Sequence, residues 1–105
     1  MGRGTAWIIW EKLSQALRQR QREKRSMGGV FELANSISKR LFCGVFVRKE
    51  HIAVEFDRGT DLKAPTGLLE GSGKVRRHIK IRSIADMKTK RPEGFVRRSF
   101  EWRFL

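Results

Sequence analysis

The chain has 105 residues, 24 of them Lys or Arg and 11 Asp or Glu, for a formal net charge of +13. That length supports one hydrophobic core and leaves no cleft between domains, so function is expected on a surface or in a shallow pocket. A single cysteine, Cys43, excludes an internal disulfide and a thiolate zinc cluster, and no apolar run approaches the roughly twenty residues of a membrane span.

The charge is unevenly placed. Residues 1–30 carry seven basic and two acidic side chains, residues 31–73 six and six, and residues 74–105 eleven and three. Basic ends around a neutral middle favour polyanionic partners through counterion release. The opening apolar stretch, Thr5 to Trp10, is too short for a signal peptide and lacks a small-residue cleavage site, so a cytoplasmic protein away from membranes is expected.

From Thr5 to about Arg25, Trp7, Ile8, Trp10, Leu13, Ala16 and Leu17 recur at helical spacing before "RQRQREKR" turns wholly polar. This predicts an amphipathic helix with a solvated basic second half, capped by Thr5 and ended by Gly28-Gly29. "VFELANSISKRL", Val30 to Leu41, fits either a short helix or an irregular approach to a strand. Phe42 to Arg48 and His51 to Phe56 are rich in β-branched and aromatic residues and flank a polar junction, the pattern of an antiparallel hairpin. Cys43 sits in its apolar first arm, a place for a buried structural thiol.

Asp57 to Gly73 then reads as a long loop with a helical turn at Leu68 to Glu70. Its "GLLEGSGK" is not a phosphate-binding P-loop: Leu68 stands where the first glycine belongs and Val75 where the metal-binding hydroxyl belongs. Gly67, Gly71 and Gly73 suit a turn with positive φ instead. The following segment, Val75 to Arg82, alternates as a strand does, with Arg77, Ile79 and Ile81 on one side and Arg76, His78, Lys80 and Arg82 on the other. After Pro92, the stripe of Phe95, Val96, Ser99, Phe100 and Phe104 predicts a C-terminal helix. Together these elements predict one α+β domain over residues 1–105, a small antiparallel sheet packed against N- and C-terminal helices.

From Leu41 to Met87 the wording resembles the YdhG-like family. The shared features are a hairpin whose second strand opens on a histidine, "FDRGTDL", "GLLEGSGK" and "RHIKIRSIAD". The resemblance implies an α+β fold whose antiparallel sheet is backed by helices, comparable in outline with frataxin, and makes the glycine-rich stretch a structural signature. Because some members are described as frataxin-like iron chaperones, it also implies iron as a cofactor or cargo. Iron handling needs an exposed carboxylate cluster. Here Glu50, Glu55, Asp57, Asp61 and Glu70 are scattered through the neutral middle, residues 1–40 depart from the family's usual opening, and basic Lys88 to Arg91 stands where members begin an acidic helix.

Two site hypotheses follow. Arg76, Lys80 and Arg82, with Lys74 and Arg77 nearby, would form a basic face that tracks a phosphate backbone while Phe95 or Trp102 offers stacking. His51 and His78, with Glu55 or Asp57, would instead form a two-histidine, one-carboxylate metal site. Catalysis is not expected, since no nucleophile and base pair at a recognisable spacing. The leading expectation is a non-enzymatic module binding nucleic acid or another polyanion. Metal handling and self-association through an open strand edge, as a homodimer, are the alternatives.

Overall fold

The computed structural model describes residues 3–34, 41–64 and 67–104. Its elements are α1 (Arg3–Glu23), β1 (Gly28–Ala34), β2 (Leu41–Val47), β3 (Ile52–Phe56), a 3-10 turn (Gly59–Asp61), β4 (Arg77–Ile81), α2 (Ile84–Lys90) and α3 (Pro92–Phe104). The strands form one antiparallel sheet in the order β1-β2-β3-β4, and α1 and α3 pack on it, so the fold is α+β as expected. Among the described residues, no helix is long and apolar enough to cross a membrane.

Period-two alternation decides which sheet face is covered. Val45 and Val47 of β2, Ile52, Val54 and Phe56 of β3, and Ile79 and Ile81 of β4 are fully buried. They meet Leu13 and Leu17 of α1, Met87 of α2, and Phe95 and Val96 of α3 in one core, where the Phe56 and Phe95 rings stand 6.4 Å apart. Cys43 belongs to this core, and burial pushes its thiol well above the usual range, with Glu55 adding to the shift, so it is an inert packing group.

Three local expectations are corrected. The N-terminal helix does not run on to Gly28-Gly29: Lys24 turns into the left-handed region at φ 54° and donates its N–H to Arg20 O, while Gly28 already belongs to β1. Trp7 and Ile8, expected on the buried stripe, are 66% and 52% exposed because the helix meets the sheet only from Ile9 onward. Residues 57–73 do carry a 3-10 turn, but at Gly59–Asp61; Leu68 lies in a turn, and Glu70 forms a β-bridge to His78. Of the ambiguous segment, Val30 to Ala34 is strand, and residues 35–40 lie outside the described residues, as does Thr66 at the start of the glycine-rich stretch.

Sequence terminates the elements by identifiable means. Ser83 caps α2, its Oγ accepting from Asp86 N–H at 3.4 Å while Asp86 Oδ2 accepts from Arg82 N–H at 2.8 Å. Arg91, at φ 50°, closes that helix, and Pro92 opens α3. The outer edge of β4 is largely capped: His78 exchanges both backbone hydrogen bonds with Glu70, and Lys80 O accepts from Lys90 Nζ at 2.8 Å. β1 is the edge strand at the far side, and shifts in its register against β2 at Gly29/Phe31 and Leu33/Ala34 bend it away from the flat geometry that invites a second chain.

Candidate functional site on the open sheet face

The sheet face opposite the helices is built from the alternate residues, and the strand register arranges them in rows. One row is Arg48, His51 and Arg82, at the end holding the β2–β3 turn. The next is Gly29, Phe46, Ala53 and Lys80. A third is Glu32, Gly44, Glu55, His78 and Glu70. Beyond it, Asp57 donates its N–H to Phe42 O at 3.1 Å, and Arg76 precedes β4. Successive rows are about 6.6 Å apart, two residues along a strand.

This register sorts the charges. Arg48, Lys80 and Arg82 surround His51, which is held below the usual imidazole range by partial burial and then by the repulsion of Lys80, Arg82, His78 and Arg48. Burial gives the larger share of the depression, and the cations' share reflects positive charge at this end of the face. The third row is the opposite, with three carboxylates around Gly44 and His78. Two half-buried ion pairs tie the bands together: Arg48 to Glu55 at 3.7 Å and Lys80 to Glu70 at 3.5 Å.

The expected basic residues therefore divide. Lys80 and Arg82 share the open face as expected, and Arg48 joins them from β2. Arg76 is on that face too but is separated from Lys80 by the carboxylate row, so the four alternating positions do not form an unbroken cationic strip. Arg77 is withdrawn: its guanidinium turns back to donate to the Gly73 carbonyl at 2.6 Å and to the Arg76 carbonyl at 2.5 Å. Lys74 is exposed in the turn before β4.

The expected metal ligands are not brought together. Glu55 and His78 are register partners, but His51 lies opposite Arg82, about 13 Å along β4 from His78. Among the described residues, no three His, Cys, Asp or Glu side chains form a group able to hold a metal ion.

The aromatic group on the face is one the sequence reading passed over. Phe95 is only 5% exposed and packs in the core, so it offers no stacking surface, and the side chain of Trp102 lies outside the described residues. Phe46 instead sits on the open face with its ring laid over small neighbours. A Cβ on Gly44 would stand 3.0 Å from its Cε2 and one on Gly29 3.3 Å from its Cε1, while Ala53 is its cross-strand partner. The Arg48 guanidinium lies over the ring, 5.1 Å from its centroid. Beside the ring is a cavity of about 120 Å³ above Gly44, lined by Glu32, Phe42, Glu55, Asp57 and Arg76. Strand alternation carried the signal, since Val45 and Val47 claim the core and leave Gly44, Phe46 and Arg48 outside.

No family model, no curated protein and no solved structure matches this chain.

Proposed function

We propose that the open face of the sheet binds single-stranded nucleic acid without catalysing a reaction. The observation that carries this reading is the joint placement of Phe46, on its bed of glycines, beside the cation cluster of Arg48, Lys80 and Arg82. Cations neutralise phosphates and release counterions, while an aromatic ring accepts any base by stacking. The Arg48–Glu55 pair is half-buried and long at 3.7 Å, the kind that contributes little stability, so a phosphate competes for Arg48 at small cost and uncovers the Phe46 ring. Arg20 of α1 donates to Lys49 O at 3.0 Å and so steadies the β2–β3 turn beside Arg48 and His51.

The direct test is equilibrium binding of fluorescent mixed-sequence RNA and DNA. Affinity should be measurable at low salt, and log affinity should fall linearly with log salt at a slope of about −0.7 per phosphate neutralised. Absence of binding at low salt overturns the reading.

Protonation of His51 gives a second expectation. A bound phosphate offsets the repulsion from Lys80, Arg82 and Arg48, so it restores part of the imidazole's proton affinity and binding takes up a proton. Affinity should rise as pH falls from the ordinary histidine value of about 6.5 toward the lower value of the free protein, and flatten below it. A His51→Gln chain should lose the pH-dependent increment; an identical pH profile in the two proteins would contradict this role.

A further inference from the structure

We propose that the cavity beside Phe46 reads one base of the bound strand and selects guanine, with Glu32 as the reading group. The inference rests on the nucleic-acid reading above and adds a sequence preference to it. Arg48 and Arg82 stand two rows, about 13 Å, from the carboxylate row, and Phe46 and Lys80 occupy the row between. A phosphate held by Arg48, Lys80 and Arg82 therefore directs its base across the Phe46 ring toward the third row. There the side chain is missing at Gly44, which opens the cavity, and Glu32 and Glu55 stand on the strands either side of it.

Carboxylates accept hydrogen bonds and donate none. Of the four bases, only guanine presents two adjacent donors on its pairing edge, N1–H and the 2-amino group, which match the two oxygens of one carboxylate. Adenine and cytosine offer one donor beside a ring nitrogen lone pair that repels a carboxylate, and uracil offers one donor between two carbonyls. Glu32 suits the task better than Glu55, because Glu32 is exposed on the edge strand with its Cγ beside Gly44 while Glu55 is half-buried on an inner strand. Arg76, at the far wall, faces the next phosphate or the guanine O6.

The test uses the full chain and fluorescent RNA heptamers: UUUUUUU, and UUUXUUU with X as guanine, hypoxanthine, adenine or cytosine. The guanine heptamer should bind about tenfold more tightly than the all-uracil one, the worth of a good bidentate pair. Hypoxanthine, which keeps N1–H but lacks the 2-amino group, should lose most of that gain. Glu32→Gln should bring the guanine and uracil affinities together, with the loss of one negative charge raising the all-uracil affinity modestly. Equal affinity for all five heptamers overturns the selectivity and leaves nucleic-acid binding standing. A guanine preference that survives Glu32→Gln overturns the assigned residue, and no binding of any heptamer overturns both this inference and the reading beneath it.

Discussion

Gly59→Ala is expected to destabilise the fold by about 2–3 kcal/mol, the range of forced overpacking at a site with no room to yield, and to lower Tm by about 10–20 °C for a domain of this size. Gly59 is buried, and a Cβ built there would lie 2.7 Å from the backbone N of Arg77, an atom fixed by its place in β4. Relief would require moving the 3-10 turn off the strand, which breaks the hydrogen bond from Thr60 N–H to Val75 O at 3.0 Å. The consequence reaches the open face, because the same loop returns to place Glu70 beside His78 and Lys80. Gly94→Ala is the control: nothing lies within 4 Å of its Cβ position, and in the first turn of α3 alanine should gain about 0.5 kcal/mol. Thermal unfolding of the two variants checks both signs, and equal stability of Gly59→Ala and the parent would show that the turn does not seat on β4 as described.

Much of the architecture is legible in the sequence where a single periodicity dominates. The alternation of Phe42 to Arg48, His51 to Phe56 and Arg76 to Arg82 gives β2, β3 and β4, and the inward-facing Phe95, Val96 and Ser99 give α3. β1 is less legible because "VFELA" is strand only by pairing with β2, through two register shifts that local pattern does not encode. α2 spans seven residues, too few for a periodic stripe, and its one signal is the cap formed by Ser83 and Asp86. The end of α1 is set by Lys24 in the left-handed region, a conformation that glycine favours and lysine seldom adopts, so the glycines four residues on were the more persuasive mark.

The site is less legible than the fold for a related reason. Which residues share a strand face follows from alternation, and Arg76, His78, Lys80 and Arg82 do lie together on one side of β4. Which residues stand beside them follows from register. Only the pairing of Glu32, Gly44, Glu55, His78 and Glu70 reveals that a carboxylate row divides Arg76 from Lys80, and only the pairing of Arg48 with His51 brings a third cation to Lys80 and Arg82.

The central claim is that phosphate is held at that cation row, and the variant Arg48→Ala/Lys80→Ala/Arg82→Ala tests it most directly. None of the three side chains is in the core: Arg48 and Lys80 make half-buried ion pairs at the rim of the sheet face and Arg82 is exposed, so the variant should fold with little loss of stability. Each cation removed should take about 0.7 from the slope of log affinity against log salt, and the three together on the order of a hundredfold from affinity at low salt. A matched variant, Arg18→Ala/Arg22→Ala/Arg25→Ala, removes the same charge from α1 and its end, away from the open face. The decisive measurement is the salt dependence of RNA binding for the parent and both triple variants. A flattened slope for the Arg48/Lys80/Arg82 chain, with the α1 chain close to the parent, is the expected result; equal slopes for the two variants would mean that net charge alone attracts the strand and that the open face holds no site.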